Sequence, residues 1–203
     1  MIVAFARELG AGGHAIGERV AHALQAELLD NEIVDLVASR LGAPAAYVQA
    51  HDEHVESFVE RLFRIITAAY PEAYATQGLP DWSEERLVHL TASIIQEHAR
   101  TQPLVVIGRG APMLLKDRAD VVRVLITAPA QIRARRLSER NGCSAEEALR
   151  EIRISDQHRS AYMLQHYHAD WRNPAHYDLV INTERLDDDA AAALIVEAAR
   201  RSP

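Results

Sequence analysis

Three glycines within four residues, Gly10, Gly12 and Gly13, follow closely on the apolar run IVAFA at residues 2–6. Backbone N–H groups in such a stretch can converge on an anion, and a helix starting just beyond it adds the positive field of its N-terminus. That chemistry suits a phosphate better than an apolar ligand, with Gly10, Ala11, Gly12, Gly13, His14 and Ala15 as the surrounding residues. A tight turn between strand and helix, without a ligand, uses the same residues. Arg7, beside the loop, offers a guanidinium that can bridge phosphate oxygens through two N–H groups, or pair with Glu8 or Asp30. His14 can donate to a phosphate or cap the turn. Asp30, after Leu28-Leu29, can accept from a sugar or base, order metal-bound water, or cap a helix that begins at Asn31.

The loop does not follow the strict phosphate-loop pattern G-x-x-x-x-G-K-[ST]. In the matching frame Arg7 stands at the first glycine, Gly13 at the lysine and His14 at the hydroxyl. Cationic groups are abundant elsewhere. Arg133, Arg135, Arg136 and Arg140 share one predicted helix, with 133, 136 and 140 on one face. Arg153 and Arg159 lie on the next. Such a series is either a solvated surface or a lid that closes over transferring phosphates, supplying positive charge and excluding water. Other chemistries find little support. His51, Asp52, Glu53 and His54 lack the HExxH spacing, no G-x-S-x-G elbow occurs, and Cys143 has no persuasive histidine partner. The glycine spacing is not that of a dinucleotide fingerprint.

The elements that must position these groups are legible from periodicity. Short apolar strands are predicted at 2–6, 103–108, 121–127 and 177–182. Helices are predicted over HAIGERVAHALQAEL, as far as Leu28, and over 31–41, 44–70, 84–101, the segment after Pro129, 145–168 and 187–201. A turn region separates two of them at 71–83. Pro129 suits the first turn of its helix, Asn141-Gly142 ends that helix, and Ser144 opens a capping box with Glu147. Short apolar strands separated by helices predict a parallel sheet covered on both faces. Glycine concentrates where two strands end, at the carboxyl edge where ligands sit in open α/β folds.

The chain has 203 residues, 48% of them apolar and 25% charged, with a formal net charge of −7. It reads as one folded domain over 1–203, and its acidity disfavours a role in coating nucleic acid. One cysteine excludes an internal disulfide, and no stretch approaches the 18 apolar residues of a membrane span. With no secretory pattern at the start, a cytoplasmic protein without membrane association is expected.

Taken together, IVAFARELGAGGHAIGERVAHAL, LLDNEIVDLVA, VVIGRGAPMLLKD, the arginine helix and YMLQHYHADWRNPAHYDLVINTERL resemble the cytidylate kinase-like branch of the P-loop nucleoside monophosphate kinases. The resemblance covers nearly the whole chain, least specifically over 50–100. It implies a three-layer α/β fold, a parallel sheet with flanking helices, and a mobile helical lid near 133–160. It implies phosphoryl transfer from ATP to CMP or dCMP with Mg²⁺, and is compatible with a homodimer. On this reading residues 10–15 surround the donor phosphates, Asp30 lies near the acceptor nucleotide and Arg109 contacts its phosphate. Arg133, Arg136 and Arg159 act in the lid and transfer zone with Asp156 as their acidic organiser, and Arg7 stands in for a missing cation. Asp30 or Asp156 holds water on the metal. Cytidylate kinases outside this branch carry a lysine where this chain has Gly13. A noncatalytic nucleotide-binding switch and a kinase with a non-nucleotide acceptor are therefore the alternatives.

Overall fold

In the computed structural model the described residues are 1–30 and 84–202, with positions 33, 36, 37 and 40. Residues 1–30 and 98–203 form one compact unit and residues 31–97 a second. The first unit is built on five parallel strands: β1 Ile2–Arg7, β2 Glu27–Leu29, β3 Leu104–Ile107, β4 Val121–Thr127 and β5 Leu179–Asn182. Their order across the sheet is β2-β3-β1-β4-β5, so β1 is central. It aligns Val3 with Val105 on one side and Val122 on the other.

Alternate residues of β1 serve opposite faces. Val3 and Phe5 join Val105, Ile107, Val122, Val124 and Ile126 under helices α1 (Gly13–Leu24) and α6 (Asp188–Arg201). Ala6 packs on the other face against Leu125, Met113, Met163 and Trp171. Met113 lies on the short helix α3, Ala111–Leu114. Burial on both faces is why β1 is apolar from Ile2 to Ala6 rather than alternating. Fully buried Phe5, Ile16 and Ile107 each contribute about 1.5–3 kcal/mol on this account. Helices α4 (Ala130–Asn141) and α5 (Ala145–Tyr167) pack together through Ala134, Leu137, Ala148 and Ile152. Gly142 ends α4 in a left-handed turn, and the capping box of Ser144 and Glu147 starts α5.

In the second unit, Ile33, Leu36, Val37 and Arg40 are helical. Arg40 donates to Glu97 at 2.8 Å, on helix α2, Glu84–Thr101. The remainder of the helices predicted over 31–41 and 44–70, the turn over 71–83 and the His51–His54 cluster lie outside the described residues. No helix among the described residues is long and apolar enough to cross a membrane.

Two expectations need correction. The first helix ends at Leu24 rather than reaching Leu28, because Gln25 turns left-handed (φ 52°) and residues 27–29 become β2. Leu28 preserves the helical spacing after Leu24 but reaches the same core from a strand paired with Val105. Pro129, at φ −54° and ψ 141°, precedes α4 as its cap instead of lying in its first turn.

Candidate functional site

β1 delivers Arg7 and Glu8 to the carboxyl edge of the sheet, and the chain then turns through the glycine loop into α1. Gly10 and Gly12 adopt φ of 81° and 86°, a left-handed backbone that turns successive N–H groups toward one side. No side chain caps the start of α1. Its first turn therefore presents amides of the kind that bind anions.

Gly13 has a different reason to be glycine. A side chain there would place its Cβ 2.5 Å from Arg7 Cβ and 2.8 Å from Arg7 Cγ. The arginine thus fills the space a residue-13 side chain would need. Its Nη2 donates to Asp30 at 3.2 Å, and the other carboxylate oxygen of Asp30 lies 2.8 Å from His14 Nδ1. Asp30 is buried, His14 is exposed, and His14 Nε2 also lies 3.4 Å from Glu18. Of the partners open to Arg7 in the sequence, the fold selects Asp30.

A second network lies around Glu8, which is 7% exposed. It accepts from Thr127 Oγ1 at 2.7 Å and Arg172 Nη2 at 2.9 Å, and Arg133 Nε stands 3.3 Å away. Arg133 also donates to Asp156 at 3.0 Å and to the carbonyls of Leu9 and Ala128. Arg136 donates to Thr183 Oγ1 at 3.0 Å and to the Thr183 carbonyl, and Thr183 in turn donates to the Ala11 carbonyl. The two guanidiniums thus brace the loop, one directly at Leu9 and the other through Thr183. Arg140, on the face expected for 133 and 136, donates to its neighbour Asn141 and is exposed.

Arg159 is held differently. It approaches Asp156 only to 3.8 Å, and its buried Nη1 has no hydrogen-bond partner among the described residues. Burial pushes this guanidinium down to about 9, and the positive charges of Arg7 and Arg109 act in the same direction. A cation in that situation gains from any anion that enters. Arg109 itself lies in a left-handed turn at φ 53°, flanked by Gly108 and Gly110, which are also left-handed. Its carbonyl accepts from Tyr167 at 3.1 Å, a phenol that burial holds well above its usual range. On one side of the loop Arg7, Arg109, Arg133, Arg159 and Arg172 gather with Glu8, Asp30 and Asp156. On the other side, Gly12 is bordered by Arg19 and Arg136 together with Asp187, Asp188 and Asp189.

Glu8, Thr183, Arg172 and Trp171 were not singled out by sequence reasoning. Thr183 had a signal, since it follows β5 at the ligand-bearing carboxyl edge. Arg172 had none, because its partners lie 16 and 164 residues away. No grouping of three or more His, Cys, Asp or Glu side chains among the described residues is arranged to hold a metal ion.

The chain is 35% identical over 99 residues to a cytidylate kinase of Thermococcus sibiricus, covering 49% of this chain and 50% of the relative. It is 31% identical over 99 residues to a cytidylate kinase of Pyrococcus horikoshii, with the same coverage of each. The chain thus spans about half the length of the curated relatives it matches. Among solved structures it is similar to an uncharacterized protein from Eubacterium ventriosum, with a TM-score of 0.66, 21% identity and 99% of both chains covered. It is also similar to shikimate kinase from Bacteroides thetaiotaomicron, with a TM-score of 0.55, 16% identity and 98% of both chains covered. At these identities the two structures speak for the fold alone, a P-loop kinase-like arrangement of sheet and helices. A sequence model of the cytidylate kinase-like family matches residues 2–185. The chain therefore belongs to the cytidylate kinase-like family.

Proposed function

We propose that this protein transfers the γ-phosphoryl group of ATP to a small phosphorylated acceptor, with CMP or dCMP as the acceptor. The observation that carries the reading is a buried Arg159 nitrogen with no hydrogen-bond partner among the described residues, close enough to Arg7 and Glu8 at the loop for their charges to act on it. A guanidinium N–H so placed is matched to a phosphate oxygen.

In this mechanism the amides of residues 10–15 hold the donor phosphates. Arg7, packed where a residue-13 side chain would lie, replaces the lysine of the strict motif. Arg109 holds the acceptor phosphate near Asp30. An oxygen of that phosphate attacks the γ-phosphorus in line while the bond to the β-phosphate oxygen breaks. No general base is needed, since the attacking oxygen is already anionic. Arg159 donates to the transferring group, and Arg133 and Arg136 support it by keeping the loop in shape. The segment 133–160 is the part that closes over the phosphates.

Asp30 and Asp156 have oxygens already committed to Arg7, His14 and three arginines. They suit water-mediated rather than direct contact with a magnesium ion that arrives on the ATP phosphates. That ion would supply neutralisation of phosphate charge.

A nucleotide-binding switch without turnover is the second reading, and Gly13 at the lysine position favours it. A panel of nucleoside monophosphates and small non-nucleotide acceptors, incubated with ATP and Mg²⁺, separates the two. Conversion of CMP and ATP to CDP and ADP supports the kinase. ATP binding without transfer to any acceptor supports the switch. Arg7→Ala should weaken transfer about 10- to 1000-fold if Arg7 supplies transition-state charge; unchanged turnover removes it from that role.

A further inference from the structure

Trp171 lies in the segment after α5 and is 1% exposed. The guanidinium carbons of Arg159 and Arg172 both stand over its ring, 5.2 and 5.1 Å from the centroid. The ring itself is fixed from several sides. Trp171 Nε1 donates to Ser160 Oγ at 2.9 Å, the Tyr177 hydroxyl donates to the Trp171 carbonyl, and Met113, Leu125 and Met163 complete its apolar surroundings. Both arginines are cations and repel one another, so their shared position needs compensation. Arg172 receives it from Glu8 at 2.9 Å and Asp156 at 2.7 Å. Among the described residues Arg159 receives the Asp156 oxygen at 3.8 Å, the charge of Glu8 and the aromatic face, and its Nη1 makes no hydrogen bond.

The difference between a carboxylate and an aromatic face matters here. A carboxylate fixes a guanidinium by accepting its N–H groups, which then compete with any incoming anion. An aromatic ring attracts the same cation through its quadrupole and accepts none of the in-plane N–H groups. We propose that Trp171 is a positioning residue. It holds Arg159 by its π face and thereby leaves the Arg159 Nη1 donor available for a phosphoryl oxygen. Arg172 locks the arrangement by tying Asp156 on α5 to Glu8 at the end of β1. The assignment rests on the phosphoryl-transfer reading and adds two residues to it.

Fluorescence tests this without requiring turnover. The chain has two tryptophans, Trp82 and Trp171. In a Trp82→Phe variant, with the unaltered protein measured in parallel, emission reports Trp171. Titration with ATP, CMP and pyrophosphate should produce a saturable change as Arg159 shifts toward the anion. Arg159→Lys should abolish that change even at ATP concentrations that calorimetry shows to be saturating. In steady-state assays Trp171→Leu should lower kcat about 3- to 30-fold with smaller effects on KM, and Trp171→Phe should restore most of it, since an aromatic face is worth that much to a cation.

ATP binding with unchanged Trp171 emission, together with equal kcat for the Leu and Phe variants, overturns the positioning role and leaves the kinase reading intact. A saturable Trp171 response in a protein that phosphorylates no acceptor keeps the role and removes the kinase reading. Absence of ATP, CMP and pyrophosphate binding overturns both. Should Trp171→Leu fail to fold, the emission titration still decides.

Discussion

Restoring the lysine of the strict phosphate loop is the obvious way to try to improve this protein, and the structure predicts that it does the reverse. In Gly13→Lys the new Cβ would lie 2.5 Å from Arg7 Cβ and 2.8 Å from Arg7 Cγ. Ordinary carbon contacts are about 3.5–4.0 Å, so the overlap is roughly 1 Å or more. Arg7 Cβ is fixed to the central strand and cannot swing aside as the end of a long side chain could. Gly13 is buried, and overpacking of this kind costs about 1–3 kcal/mol. For a chain of this size each kcal/mol moves Tm by about 2–4 °C, so thermal unfolding should shift down by about 2–12 °C. The displaced Arg7 also loses its bond to Asp30, and transfer from ATP should fall even though a lysine has been gained. The double variant Gly13→Lys with Arg7→Gly removes both offending atoms and should regain stability relative to the single variant. A Gly13→Lys protein with unchanged Tm and undiminished turnover would refute the argument that Arg7 occupies the lysine's place.

Three further outcomes follow from the same geometry. Arg133→Ala leaves buried Glu8 and half-buried Asp156 with one fewer cation, and should destabilise the protein by about 3 kcal/mol in urea unfolding; a loss below about 1 kcal/mol would mean that Arg172 alone compensates both. Arg109→Ala should raise the KM for the acceptor about 10- to 100-fold, the worth of a charge-assisted hydrogen bond, and leave the KM for ATP nearly unchanged; equal effects on both would place Arg109 elsewhere. Hydrogen bonding from Arg123 lowers the Asp178 carboxyl below its ordinary 3.8. Because the folded value is depressed, its stabilisation is present above pH 3.8 and fades as pH falls through that value and below it. Asp178→Asn should therefore flatten the acid limb of the Tm-against-pH curve, and parallel curves for the two proteins would contradict the pairing.

Four of the five strands, most helix limits among the described residues and the position of the glycine loop were written in local patterns. The apolar runs at 2–6 and 121–127, the Asn141-Gly142 stop and the Ser144 box each act through near neighbours, and each appears in the fold. The family, too, was legible from ordered motifs. Residue 28 shows the limit of periodicity, because a helix and a strand can deliver the same leucine to the same core. The partners of the charged groups were decided only by the tertiary structure. Arg7 had two carboxylates within its sequence neighbourhood of choices, and the fold gave it Asp30. Glu8 meets Arg172 across 164 residues, and Trp171 finds Arg159 and Arg172 over one ring. Parallel β-strands bring their carboxyl ends to one edge whatever the chain length between them, so the site's charges converge there from distant segments. Local spacing carries the information for backbone conformation; which guanidinium meets a carboxylate, and which meets an aromatic face and keeps its N–H groups, is fixed by packing in three dimensions.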